Sequence, residues 1–327
     1  MTVAYRLITT MFDKLLGFKS LRNLRIWLHD HHPFNSKTTW YAFLKRMGNQ
    51  IVDNNTSERA ASVAYSLILA VFPTVIFFFT LIPYIPIQNL EDQIMVFLKE
   101  LLPGDTFSSA DTTIRDIISR PRSGVLSLGF FLALYSATSG VVALMQAFNS
   151  SYHSAERRGF FKIRAIAIGL TFTLAFALIL AVVVLIIGGI VSDYLLHFGI
   201  LNNVVFVNLL AIGRYLVVFA VFLATVSMIY RFGPNVNMKW SHILPGSVAA
   251  SILIVLTTFG FSYYVSNFGS YNKLYGSIGT LIALMIWINL ISILLILGFE
   301  MNVALYDLEA DKPTNKSSKT TNATLKA

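Results

Sequence analysis

Six apolar stretches, at about 61–85, 124–148, 166–191, 204–230, 243–265 and 278–303, cover roughly half of this chain. Each exceeds the roughly 20 residues that a helix rising 1.5 Å per residue needs to cross a hydrocarbon layer about 30 Å thick. Inside lipid no water is present to bond the backbone, so segments of this kind must be helical. The expected fold is all-α, a polytopic membrane protein with six transmembrane helices. Only 13% of the residues are charged, against about 25% in a soluble domain. Residues 1–57 are then cytosolic or interfacial amphipathic helices and 58–306 the membrane domain. Residues 307–327, a polar tail rich in Lys, Thr, Asn and Ser, are expected to be disordered.

The net charge is +9, and its placement decides its meaning. Nine basic residues precede the first run, from Arg6 to Arg59. Arg157, Arg158, Lys162 and Arg164 follow the second run, Arg231 and Lys239 the fourth, and four lysines the sixth. The remaining loops hold only Lys99, Arg115, Arg120, Arg122 and Lys273. Basic residues mark the cytoplasmic side, so both termini are expected inside a bacterial inner membrane. The charge reads as an orientation signal and an attraction to anionic membrane lipids, with no nucleic-acid partner. There is no cysteine, which excludes a disulfide framework, a thiol nucleophile and a thiolate metal site.

Outside the spans, Trp40, Phe43, Leu44, Met47 and Ile51 form one stripe of a helix, and Leu21, Leu24, Trp27 and Leu28 repeat it upstream. Basic helices with tryptophan are expected to lie in the membrane surface, with partner binding as the alternative. In the first external loop, Ile94, Phe97, Leu98, Leu101 and Leu102 predict a helix ended by Pro103-Gly104, and Ile114, Ile117 and Ile118 a second. Ala133, Ser136, Ala137, Gly140, Ala143 and Ala147 form a small-residue seam that lets another helix approach the second span.

The polar exceptions within the spans sort by depth into two layers. Arg214 lies ten residues into the fourth span, about 15 Å from its outer end. A charge there costs at least about 2.5–3.5 kcal/mol and normally faces a partner or a polar cavity. Asn289, Tyr135 and Ser136 sit at similar depth, so these four form the expected mid-membrane polar site. Glu300 is too far along the sixth span to meet Arg214. It shares the cytoplasmic end with Glu58, Arg59, Gln146 and Asn149, and Arg59 with Glu300 is the expected ion pair, either locking helix ends or gating a headgroup site. Pro73 removes a backbone hydrogen bond in the middle of the first span and is expected to break or kink it. The segment Gly276–Gly279 suits a tight turn opening the sixth span. Span threonines such as Thr138, Thr171 and Thr173 are expected to bond their own helix carbonyls.

Catalytic chemistry is hard to find. A two-metal nuclease needs a His-x-His-x-Asp-His cluster, and His29-Asp30-His31-His32 departs from it after the first His-x-His. The remaining histidines, His153, His197 and His242, fall in separate loops and cannot complete such a site. No Walker, dinucleotide or zincin motif is present. No catalytic residue, metal site or cofactor is assigned.

Several segments in order resemble the YihY/BrkB family of bacterial inner-membrane proteins. They are Ala60-Ala61-Ser62-Val63-Ala64-Tyr65-Ser66 leading to Phe72-Pro73, Tyr135-Ser136-Ala137 leading to Asn149, and Arg214-Tyr215. Then come Tyr230-Arg231-Phe232-Gly233-Pro234-Asn235, Leu244-Pro245-Gly246, Tyr275-Gly276-Ser277-Ile278-Gly279 and Leu297-Gly298-Phe299-Glu300-Met301-Asn302. The resemblance covers about 40–306 and implies six membrane helices with both termini in the cytosol. Labels in that family range from virulence or serum resistance to ribonuclease BN, and some relatives are linked to export of lipid-linked envelope material. The resulting expectation is handling or translocation of a lipid or other amphipathic envelope molecule without an ATPase of its own. The alternative is a membrane scaffold for envelope integrity.

Overall fold

The computed structural model describes residues 26, 30, 39–53, 55–86, 89–101, 104–152, 156–197, 204–267 and 269–310. Among them no strand occurs. A surface helix α1 (Trp40–Asp53) precedes the first span α2 (Thr56–Leu81), which runs into a short 3-10 turn, Ile82–Tyr84. Two short helices follow, α3 (Leu90–Leu101) and α4 (Gly104–Ser119). The remaining spans are α5 (Ser123–Ser151), α6 (Phe160–His197), α7 (Val204–Phe232), α8 (Trp240–Asn267) and α9 (Gly269–Ala310). Six of these helices are long and apolar enough to cross a membrane.

The helices outrun the apolar stretches because ends that leave the lipid can carry polar residues and stay helical. The chain is helical through Gly276–Gly279, so no turn opens the last span there. Glycine's helix penalty of about 1 kcal/mol per residue is too small to interrupt a helix that must keep its backbone bonded in lipid. Pro73 does not break α2 either. The helix runs through it, and one residue on the Thr74 hydroxyl donates to the Ala70 carbonyl at 2.7 Å. The last helix also takes in residues 307–310, the start of the polar stretch for which the sequence predicts disorder.

The spans close into a ring of neighbours, α2 on α5, α5 on α6, α6 on α7, α7 on α8, α8 on α9, and α9 back on α2. The small-residue seam of α5 faces α2. Gly140 there lies against Leu67, whose Cγ would be 3.1 Å from an added Cβ, and Gly129 lies against the Phe77 backbone.

Tight packing gathers at one end of the ring, called here the Glu300 end. Val63, Met145, Phe148, Leu170, Tyr230 and Phe299 share its core. Phe148 and Phe299 stack with ring centroids 4.6 Å apart, and Tyr230 meets Phe148 edge-on at 5.4 Å. On the far side, α3 and α4 pack on each other and α4 also meets α2, burying Met95 and Ile118.

The apolar stripe of α1 turns inward. Phe43 is buried against Ala304 and Leu305 of α9, with Trp40, Leu44, Met47 and Met301 around them. The face assigned to the membrane surface is therefore largely covered by the chain's own last helix. The upstream stripe, Leu21 to Leu28, lies outside the described residues.

Candidate functional site

Asn55 sets the first piece of the site. It adopts the left-handed conformation (φ 50°, ψ 46°), which asparagine tolerates better than most residues. Its carbonyl accepts from the amides of Glu58 and Arg59 and so starts α2. Thr56 and Arg59, three residues apart, then share one helix face and point at Glu300 of α9.

Glu300 is fully buried and Arg59 is 13% exposed. The Arg59 Nη2 donates to Glu300 Oε1, and the Thr56 hydroxyl donates to the same oxygen at 2.8 Å. Arg59 Nη1 reaches α5, donating to the Ala147 carbonyl and to the Ser151 hydroxyl, each at 2.6 Å. One guanidinium thus ties the first, second and last spans together. Glu300 Oε2 and Arg59 Nε are buried without a hydrogen-bond partner. Burying an ion pair is costly, and the added hydroxyl and carbonyl contacts offset that cost.

A second network lies beside it. The Asn149 carboxamide accepts from the Asn235 amide at 2.7 Å and donates to Glu156 at 2.6 Å. Arg158 grips Glu156 with two nitrogens and donates to the Gly233 carbonyl at 2.9 Å. These hydrogen bonds from Arg158 hold the Glu156 carboxyl below the usual carboxylate range, against the opposing effect of burial.

The third piece joins α8 to α9. Pro245 has no N–H, and the Gly246 amide after it donates to Asn302 Oδ1 at 2.7 Å. Gly298 lies against this turn, where an added Cβ would be 2.5 Å from the Tyr230 hydroxyl and 2.6 Å from the Ala250 Cβ. The Tyr230 hydroxyl uses that space to donate to the Leu295 carbonyl at 2.7 Å.

Of the expected cytoplasmic-side cluster, Arg59 and Glu300 meet directly and Asn149 stands in the adjoining network. Glu58 and Gln146 are exposed and take no part. Thr56 and Ser151 complete the cluster and went unnoticed in sequence. Thr56 had a signal, its spacing of three from Arg59.

The expected mid-membrane set does not assemble. The Arg214 side chain lies along α6 over Gly188 and Gly189, with its guanidinium 5.1 Å from the neighbouring Tyr215 ring. It makes no hydrogen bond to a described residue, and its Nε is buried and unpartnered. Asn289 Oδ1 is likewise buried and unbonded, and Ser136 is half-buried. Depth matched these residues, but α7 packs chiefly on α6 and α8 and meets α5 and α9 through Tyr230, at the Glu300 end.

Tyr135 does meet an arginine, Arg164 of α6. The guanidinium sits 4.5 Å from the Tyr135 ring centroid, and its Nη1 donates to Thr138 Oγ1 at 2.9 Å and Ser139 Oγ at 3.1 Å. Both hydroxyls donate to carbonyls of their own helix, leaving lone pairs for the arginine. Arg164 was counted as a loop charge because it precedes the apolar run. Among the described residues no group of three or more metal-ligating side chains gathers; the cluster 29–32 falls outside them apart from Asp30.

The family model described as Virulence factor BrkB matches residues 47–322. The chain belongs to the virulence factor BrkB family. Among its BrkB-family relatives, the putative ribonuclease-like protein YfkH of Bacillus subtilis is 31% identical over 81% of this chain and 95% of its own. A UPF0761 membrane protein of Aggregatibacter aphrophilus is 23% identical over 84% of this chain and 96% of its own, and one of Tolumonas auensis 22% over 77% and 82%. No solved structure matches. The BrkB-type segments at Asn149, 230–235, 244–246 and 297–302, scattered in sequence, converge at the Glu300 end.

Proposed function

We propose that this BrkB-family protein handles or translocates a lipid or other amphipathic envelope molecule in the bacterial inner membrane. Both termini lie in the cytoplasm, and the chain hydrolyses no ATP itself. The observation that carries this reading is Arg214, a cation between two apolar helices with no hydrogen-bonded partner among the described residues. A guanidinium in such a place is strongly disfavoured unless an anion joins it. An anionic headgroup is the anion that a membrane offers.

The Arg59–Glu300 network then closes the cytoplasmic end behind the substrate. The alternative, a scaffold for envelope integrity, draws support from the interlocked contacts of Gly246, Gly298 and Tyr230 at that same end.

Mass spectrometry of lipids retained by gently purified protein, wild type beside Arg214→Leu, tests the proposal together with a scrambling assay in proteoliposomes. Specific retention that falls in the variant, with measurable scrambling, supports it. No specific lipid and a silent assay would leave the scaffold reading.

A further inference from the structure

Arg164 differs from Arg214 in having a built surround. Its guanidinium lies against Tyr135, Thr138 and Ser139, near the middle of α5. Tyr135 is 12 residues from Ser123 and 16 from Ser151, about 18 and 24 Å along the helix axis. Nη1 makes all three of its hydrogen bonds, to Thr138, Ser139 and the Tyr135 carbonyl. The edge formed by Nε and Nη2 donates to no described residue, and no described carboxylate pairs with Arg164.

That edge is the one that grips an oxyanion with two parallel hydrogen bonds. The two hydroxyls fix Nη1, and the Tyr135 and Phe160 rings stack at 4.5 and 5.7 Å from the guanidinium carbon, so the fork is held in place before anything binds. Around it the surface is apolar and open. Leu128, Phe131, Phe160 and Phe161 are each more than 60% exposed. A free inorganic anion would gain nothing from those side chains, whereas acyl chains would cover them.

We infer that Arg164, oriented by Thr138 and Ser139, is a headgroup subsite for an amphiphile of net negative headgroup charge, whose phosphate ester enters laterally between α5 and α6 with no cation of its own beside it. This rests on the lipid-handling reading and adds to it a position, a chemical class and a route of approach.

Full-length protein in nanodiscs of phosphatidylcholine, doped with phosphatidylglycerol, provides the test, with bound lipid counted by native mass spectrometry. The wild type should retain phosphatidylglycerol over phosphatidylcholine, and Arg164→Gln should lose roughly ten- to a hundredfold of that preference, the range for one charge-assisted pair. Arg164→Lys keeps the charge without the fork and should lose several-fold, which guards against an Arg164→Gln variant that fails to fold. Thr138→Val with Ser139→Ala, which frees Nη1, should lie between wild type and Arg164→Gln.

An unchanged preference in Arg164→Gln and Arg164→Lys, alongside a loss in Arg214→Leu, would overturn this subsite while leaving lipid handling intact. Absence of any preference in the wild type, with silent scrambling, would remove both. Displacement of the lipid by millimolar inorganic phosphate alone would overturn the amphiphile and leave a simple anion site.

Discussion

Replacing Arg59 by methionine keeps most of its volume and removes the cation facing Glu300. The carboxylate is fully buried and would retain only hydroxyl donors, Thr56 at 2.8 Å and Ser151 at 3.5 Å. Breaking one side of a buried pair in this way costs about 3–5 kcal/mol. The converse change, Glu300→Gln, is milder. Arg59 keeps the Ala147 carbonyl and the Ser151 hydroxyl at 2.6 Å, and the glutamine oxygen still accepts from Thr56. The loss there is about 1.5–3 kcal/mol, that of a hydrogen bond to a charged group. In the double variant no unpaired charge is left, so its cost should fall at least about 2 kcal/mol below the sum of the single costs, within the range seen for contacting residues. The assay is reversible unfolding in mixed micelles with increasing SDS, with matched variants analysed together. Additive costs, or Glu300→Gln as damaging as Arg59→Met, would refute the reasoning. A charge swap is a poorer probe, since it would set a carboxylate against the Ala147 carbonyl and should not rescue.

Gly298→Ala should cost about 1–3 kcal/mol or more in the same unfolding assay, because its Cβ would overlap the Tyr230 hydroxyl and Ala250. Asn302→Leu leaves the buried Gly246 amide without its acceptor and should cost about 1–3 kcal/mol, seen as an equal fall in unfolding free energy. Phe43→Ala, at a side chain 2% exposed, should remove about 3–5 kcal/mol of local contact. It should release α1 without unfolding the bundle, which limited proteolysis between residues 40 and 55 would detect. Because Glu156 is held below its unfolded value near 4.3, its contribution to stability is present above that pH and is lost as pH falls through the lower folded value. The gap in thermal stability between wild type and Glu156→Gln should therefore be constant near neutrality and close in acid.

Number and order of spans were legible because lipid sets a length and a polarity that any apolar run of twenty residues must satisfy. The Arg59–Glu300 pair was legible for a related reason. Both residues sit at the same end of helices whose direction alternates, so depth alone brings them level. Depth does not say which helices are neighbours. That is why Arg214 was set against Tyr135, whose arginine is Arg164 from the adjacent α6. The helices run unbroken through Pro73 and through the glycines at 276 and 279, since local backbone preferences of a few kcal/mol yield where continuing the helix is the way to satisfy the backbone in lipid. The amphipathic stripe around Phe43 is expected from sequence to lie in the membrane surface, and the structure instead packs it against protein. Its cover, the end of α9, lies more than 250 residues away in sequence, and periodicity carries no address.

The contacts of α1 with α9, and of Arg59 with Glu300 across 241 residues, join the first and last pieces of the membrane domain. Synthesis runs from one to the other, so neither contact can form until the final helix has been made and inserted. A nascent or truncated chain without α9 leaves Arg59, at the head of the first span, without its carboxylate partner and carries a bare aromatic face beside it. Completion of the polypeptide removes both at once. The closed ring is thus distinguishable, by surface chemistry alone, from every shorter chain that precedes it.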